Sequence, residues 1–397
     1  MKVVQINTTC GIGSTGKISV EISRTLSRNN TENYILCSKT DGYPPGIQCS
    51  CNTYIKVQAI RSRIFGNYGF NSTIVTRRMI SEVERIRPDI VHIHNIHGHD
   101  CNLELLFSYF RDKNIKLIWT FHDCWAFTGY CPHFTMVKCE KWKTQCSHCE
   151  QRRNHSWFLD QSRKLFNKKK ELLTGLNMTI VTPSQWLADL VKQSFLKDYP
   201  VKVINNGIDI GIFRPTESDF RKKYGIEDKK IVLGVAFDWG MRKGLDVFVE
   251  LADRLSDDYQ IVLVGTNDKI DTQLPHNIIS IHRTQNQQEL AKIYSAADVF
   301  VNPTREENYP TVNMEALACG TPVLTFRTGG SPEIIDETCG SVADCDDLDA
   351  MENEIIRICT DKIYSKIDCL KKARGFDQNE RFEEYLKLYE RVISAGN

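Results

Sequence analysis

One feature constrains the fold more than any other: short β-branched runs alternate with longer helix-period segments, and the pattern occurs twice. Residues 2–6, 34–37, 89–93 and 115–121 read as buried strands. The segment 16–28 between the first two sets Ile18, Ile22 and Leu26 on one helical face. The pattern restarts after residue 200, with strands over 231–237, 260–264, 278–281, 298–302 and 322–325. Such repeats imply right-handed crossovers and parallel sheets covered on both faces. The expected class is α/β, with two doubly wound parallel-sheet domains. An N-terminal domain is expected over residues 1–204, a C-terminal one over 205–377, and a terminal segment over 378–397. The stretch INNGIDIGIFRP, with its Asn-Gly and closing proline, is the expected hinge. Residues 378–394 form a final helix expected to cross back to the N-terminal domain.

A length of 397 residues suits two domains, and 51 basic against 50 acidic side chains leave a net charge of +1. That balance excludes a whole-protein attraction to nucleic acid. The longest clear apolar run, 231–237, has seven residues, against the ~18–20 that a membrane helix needs. The opening MKVVQINTTCG turns polar early and reads as a first strand, not a secretory signal. The expected location is therefore the cytoplasm, and most of the fifteen cysteines are expected to be reduced thiols. Lys56, Arg61, Arg63, Arg77, Arg78, Arg85 and Arg87 lie among apolar residues. They make either a solvated helix face or a surface for the membrane or an anionic acceptor.

Residues 302–323, NPTREENYPTVNMEALACGTPV, start where a strand ends and continue into a helix, with Pro310 at its start and Gly320 past its end. Glu307 then lies in the loop and Glu315 in the helix, near one crevice. A helix N-terminus offers free N–H groups to a phosphate, and a carboxylate accepts hydrogen bonds from sugar hydroxyls. This string, with Ala316, Ala318, Pro322 and Val323, resembles the E-x7-E motif of group 1 glycosyltransferases. SAADVFVNPTREE (295–307), TGGSPEII (328–335), RKG (242–244) and NNGID (205–209) agree with that family in order and spacing.

The resemblance covers nearly the whole chain. It implies the GT-B fold, two Rossmann-like domains facing each other across a cleft, and transfer from a nucleotide sugar with retention of anomeric configuration. Glu307 would hold the donor sugar and Glu315 the ribose. Lys243 with Arg242 would neutralise the diphosphate, whose charge develops as the bond breaks. Tyr309, Thr311 and Val312 open the helix on the donor side. The family's glycine-aromatic-glycine is Asn308-Tyr309-Pro310 here, and its glycine-arginine pair is replaced by Phe237-Asp238-Trp239. The Asp-x-Asp matches, Asp344/Asp346 and Asp347/Asp349, fall where helix caps are expected. No cofactor is therefore expected for catalysis.

CGIGSTGKI (10–18) nearly matches a P-loop, but Ile18 stands where a Mg2+-binding hydroxyl is required. As a glycosyltransferase, the chain would use Gly13 to let backbone approach the diphosphate. IVHIHNIHGH (90–99) and IWTFHD (118–123) end two strands and point His94, Asn95, His97 and His122 toward the crevice. The family implies a catalytic part for His122 beside the donor sugar; Asn95 and His97 are acceptor-side candidates.

Residues 123–158 show no clear strand or helix, which is unusual inside a compact domain. HDCWAFTGYCPHF…CEKWKTQCSHCEQ resembles the colanic-acid branch of the family, of capsule and exopolysaccharide biosynthesis. Cys131, Cys139, Cys146 and Cys149 have the spacing C-x7-C-x6-C-x2-C, which four thiolates can close around a structural Zn2+. Cys124, His133 and His148 are alternative ligands, and buried free thiols are the alternative state. The partners implied are a nucleotide sugar and a lipid-linked or oligosaccharide acceptor, with peripheral contact at the inner membrane and no nucleic acid. The competing classes are a GT-B sugar-nucleotide epimerase, a P-loop-like NTPase, and a nucleic-acid module built on the cysteines.

Overall fold

The structure, a computed structural model, describes residues 1–394. The chain separates into two compact units, Met1–Asn205 with the segment from Arg381 onward, and Asn206–Glu380.

The first unit holds seven strands: β1 (Lys2–Cys10), β2 (Glu32–Thr40), β3 (Gly46–Gln48), β4 (Ile90–Ile93), β5 (Leu117–Thr120), β6 (Met178–Thr182) and β7 (Val201–Val203). Their order is β3-β2-β1-β4-β5-β6-β7, and all neighbours are parallel. β1 runs four residues past its expected end, because the polar tail NTTC is satisfied where it lies. Asn7 donates to the Thr9 carbonyl at 2.8 Å and accepts from the Asn95 N–H at 3.2 Å. β3, β6 and β7 were not expected; β3 and β7 have only three residues each, too few for an alternating pattern to register.

The helix Gly13–Arg28 buries Ile18, Ile22 and Leu26 against Val3, Ile90 and Ile118. The same cluster takes Phe382, Tyr385 and Tyr389 from the final helix Gln378–Ser394. His92 fastens that helix: its Nδ1 lies 2.6 Å from the Tyr389 hydroxyl and its Nε2 2.8 Å from Thr120 Oγ1. Residues 123–158 contain only two single 3-10 turns, Trp125–Phe127 and Lys141–Lys143, and the four-residue helix Arg152–His155. They pack instead around buried Trp125, Phe127, Tyr130, Phe134 and Trp142.

The second unit holds β8 (Lys230–Val235), β9 (Tyr259–Val264), β10 (Ile278–Ile281), β11 (Val299–Asn302), β12 (Val323–Phe326) and β13 (Gly340–Ala343). The order is β10-β9-β8-β11-β12-β13, again parallel throughout. In each sheet the strand order reverses once, between β1 and β4 and between β8 and β11. Ligands bind doubly wound sheets outside the carboxyl ends of the strands at that reversal. Among the described residues no helix is long and apolar enough to cross a membrane.

Candidate active site

In the second unit, the loops leaving β8 and β11 meet. The Arg305 N–H donates to the Arg242 carbonyl at 2.9 Å, and Thr304 Oγ1 to the same oxygen at 3.3 Å. Gly244 makes the approach feasible: its φ is +72°, and a Cβ there would lie 2.4 Å from the Pro303 carbonyl oxygen. The result is an ion pair, Lys243 Nζ to Glu307 Oε2 at 2.5 Å, with the two side chains 19% and 20% exposed. From the other side, Gly329 packs against the Glu307 carbonyl, where a Cβ would come within 1.8 Å, and the Gly330 N–H donates to the Asn308 carbonyl at 2.8 Å. The loop carrying Glu307 is thus held on both flanks.

The helix Thr311–Ala318 follows at once. Its N-cap is Pro310, which makes no side-chain capping bond to the first-turn amides. Glu315 lies one turn in and accepts from the Tyr294 hydroxyl at 3.1 Å. Burial and then the Glu315 charge push the Tyr294 phenol well above its ordinary range, so it stays a donor. Tyr309 is buried in the apolar core of the unit. Arg305 was not anticipated. Its guanidinium grips Asp246 at 2.8 and 2.7 Å, Asp346 at 2.6 Å and the Met241 carbonyl at 2.5 Å. It ties the loop after β11 to the turn Met241–Lys243 that carries Lys243. The Asp-x-Asp residues have structural uses: Asp344 meets Arg327 at 2.9 Å, and Asp347 caps the helix Leu348–Asp361.

In the first unit, His122, Asn95 and His97 line one small cavity with His94, Asp123 and Trp125. Gly13 lies elsewhere at the reversal, opening its helix with φ +70° and nothing within 4 Å of a would-be Cβ. That helix has no side-chain cap either.

The hydrogen bonds fix proton positions in this cavity. Gln5 Nε2 donates to the Ser19 carbonyl at 3.0 Å, which turns Gln5 Oε1 toward His94 Nε2 at 2.9 Å. His94 must therefore carry its proton on Nε2 and present an Nδ1 lone pair to His122 Nε2 at 3.2 Å. His122 in turn is protonated on Nε2, and its Nδ1 is left as the basic nitrogen. Burial, with like charge on His97, lowers the His122 pKa to about 4, so the ring is neutral near pH 7.

His97 behaves in the opposite way. The Tyr68 hydroxyl donates to the His97 carbonyl at 2.5 Å and lies 3.2 Å from His97 Nδ1, which must then donate. His97 Nε2 faces Asp123 Oδ2 at 2.8 Å. With both ring nitrogens facing such partners, the charged form of the ring is favoured. Burial opposes that charge, but Asp123 outweighs it and raises the pKa. Asp123 is likewise opposed by burial and held at about 2, chiefly by His97. One cavity therefore contains a neutral histidine and an ion-paired one. Separated pKa values of this kind are what acid–base chemistry requires. Gln5 had not been anticipated; its signal was a polar residue inside the run KVVQI.

Cys131, Cys139, Cys146 and Cys149 line a second small cavity within residues 123–158. The alternative ligands Cys124, His133 and His148 are not among the residues lining it.

Residues 16–211 match the family model described as Glycosyltransferase Family 4, and residues 229–361 that of Glycosyl transferases group 1. The putative colanic acid biosynthesis glycosyl transferase WcaC of Escherichia coli K12 is 24% identical over 346 residues, 83% of this chain and 81% of that protein. An N,N'-diacetylbacillosaminyl-diphospho-undecaprenol alpha-1,3-N-acetylgalactosaminyltransferase of Campylobacter jejuni is 29% identical over 226 residues, 52% of this chain and 58% of its own. Among solved structures, Anabaena HepE in complex with UDP-glucose superposes with a TM-score of 0.69 at 14% identity, covering 98% of this chain and 99% of that one. The two parallel-sheet units have the GT-B fold.

Proposed function

The chain belongs to the glycosyltransferases, and we propose that it moves a sugar from a nucleotide-sugar donor to a lipid-linked saccharide acceptor, with retention of configuration, in bacterial capsule or exopolysaccharide assembly. The second unit takes the donor and the first unit the acceptor. The observation that carries the reading is the Lys243–Glu307 pair at the sheet reversal of the second unit. A sugar diphosphate supplies partners for both members: phosphate oxygens for Lys243, with Arg242 beside it, and sugar hydroxyls for Glu307. Glu315 accepts from the ribose hydroxyls while Tyr294 orients it. The amides at Thr311 and Val312 add partial positive charge beside the phosphates. Fixed cations and amides stabilise the leaving diphosphate as charge develops. The family resemblance implies a front-face displacement assisted by that leaving group.

On the acceptor side, Asp123 is held ionised by His97 and can accept a hydrogen bond from an acceptor hydroxyl. His122 offers a neutral lone pair to a sugar hydroxyl, and Asn95 an amide. A lipid-linked acceptor is favoured by a surface on the same unit. Val57, Ile60 and Phe65 on the helix Asn52–Phe65 are about half exposed, as are Trp157 and Leu159, Phe158 is more so, and Lys56, Arg61 and Arg153 are also exposed among them. The two segments are joined, since the Trp157 N–H donates to the Arg63 carbonyl at 2.7 Å. Aromatic and basic residues in such a mixture suit an anionic lipid surface. The chemistry of the relatives, named for colanic acid and for an undecaprenol-diphosphate saccharide, is of the same kind.

The test is a thermal-shift panel of nucleotide sugars, followed by transfer assays with the stabilising donor and NMR of the product anomer. Glu307→Gln is expected to abolish transfer while the protein remains folded. Turnover at the wild-type rate would overturn the assignment, as would an inverted product.

A further inference from the structure

The cysteine-rich segment has no part in the reading above, and its geometry points to a function of its own. We propose that Cys131, Cys139, Cys146 and Cys149 bind one structural Zn2+ as four thiolates. All fifteen cysteines carry free thiols, so none of these four is committed to a disulfide. Cys131 Sγ and Cys149 Sγ lie 3.8 Å apart. Two sulfurs on one tetrahedral Zn2+, each at about 2.3 Å, are separated by about that same distance. Cys139 and Cys146 line the same cavity. No three of the four sulfurs lie mutually within 4.8 Å, so the set is half closed.

Three further observations agree. Backbone N–H groups already point at sulfur: Gly129 donates to Cys146 Sγ at 3.3 Å, and Gln151, two residues on, donates to Cys149. Such bonds are the outer support that a thiolate ligand needs. Lys138 and His148, each directly before a cysteine of the set, take left-handed backbone at φ +47° and +46°. That conformation is uncommon for residues other than glycine, and here it shapes the two turns that deliver Cys139 and Cys149. Finally, Lys169 is fully buried, and its Nζ reaches only the Trp125 and Thr128 carbonyls, at 2.7 and 3.0 Å, and the Trp125 ring at 3.6 Å. It has no ion-pair partner among the described residues. The groups whose charge acts on it are Cys146, Asp123 and Cys131. Four thiolates on Zn2+ carry a net charge of −2, which is the compensation a buried ammonium requires.

Four protein ligands leave no open position, so the metal holds structure and takes no part in the chemistry. It closes a segment that has almost no regular hydrogen bonding of its own. It also steadies the wall of the His97 cavity, because Trp125 and Thr128 receive Lys169 from behind.

The test uses the full chain and no sugar. Protein purified under reducing conditions is assayed for metal by mass spectrometry; one zinc per chain is expected. A mercurial titration is expected to release that zinc as four sulfurs react. Replacement by Co2+ is expected to give the intense visible bands and thiolate charge transfer of a tetrahedral sulfur site. Cys149→Ser is expected to lose the metal and Cys345→Ser to keep it. If Cys149→Ser does not fold, the zinc count and cobalt spectrum of the wild-type chain decide the matter. The proposal is overturned by a chain that retains neither metal after reconstitution and gel filtration, or by a Cys131–Cys149 disulfide in the reduced preparation. Either failure leaves the glycosyl-transfer reading untouched.

Discussion

The relay from Gln5 through His94 to His122 can be broken at its far end without touching the cavity. Gln5→Met keeps the side-chain volume, removes the bond to the Ser19 carbonyl and deprives His94 Nε2–H of its acceptor. Gln5 and His94 are both buried, at 0% and 1% exposure, so water cannot replace the lost partner. An unsatisfied buried donor and one net hydrogen bond together cost about 2–3 kcal/mol. The rings can recover part of this by shifting tautomer. His94 then carries its proton on Nδ1 and donates to His122 Nε2, which forces the His122 proton onto Nδ1. The basic nitrogen would then face His94. The expected outcome is a lower urea midpoint together with a fall in kcat/KM of about 100-fold, the lower range for losing a positioned acid–base group. Nitrogen-15 spectra of the imidazoles at pH 7, well above the His122 pKa of about 4, report the tautomer directly. Wild-type His122 protonated on Nδ1 would refute the argument. So would a variant that loses stability but keeps the wild-type tautomers and rate, since Gln5 would then be a packing residue alone.

Arg305→Gln is expected to weaken nucleotide-sugar binding at least tenfold, because the turn Met241–Lys243 loses its tie to the Glu307 loop; unchanged affinity by calorimetry would assign Arg305 to stability only. Stability should fall as pH drops from about 6.5 toward 4, by about 1.4 kcal/mol per pH unit for each of the two buried neutral rings. The sign follows from His92, held by burial at about 3, and His94, held well below its ordinary value; the unfolded chain takes up protons that the folded chain refuses. His97 acts oppositely: its raised pKa contributes stability in full below about 6.5, and this is lost as pH rises through the folded value. A flat urea midpoint between pH 7 and 4.5 would contradict the burial of these rings. Phe158→Ser, at a side chain 66% exposed, should leave the fold intact and weaken binding to anionic vesicles by roughly tenfold; sedimentation with neutral and anionic vesicles measures it, and equal binding would remove the lipid surface from the proposal.

What was legible in the sequence is whatever the backbone decides locally. Strand ends were readable, and in a doubly wound sheet a strand end at the order reversal is already an address. Hence Lys243 and Glu307, 64 positions apart, meet after β8 and β11, and Asn95, His97 and His122 meet after β4 and β5. What was not legible is the pairing of side chains chosen by sheet order. Gln5 finds His94 89 residues away because β4 is the neighbour of β1. Arg305 finds Asp246 at 59 and Asp346 at 41 residues' separation because the loop after β11 meets the helix Leu245–Arg254 and the loop after β13. Tyr309, read as a donor-side residue, lies in the core because the loop turns inward just before its helix begins. Yet one clue was present in the first five residues. A parallel strand buried on both faces reads as a continuous apolar run, so a glutamine within VVQI cannot be idle. Its amide must be satisfied on both sides, and a neighbouring strand reading IVHIH offers the histidines to do so. A polar residue in a strand of this type is therefore better evidence for a functional network than a charged residue on a helix, where solvent alone satisfies it.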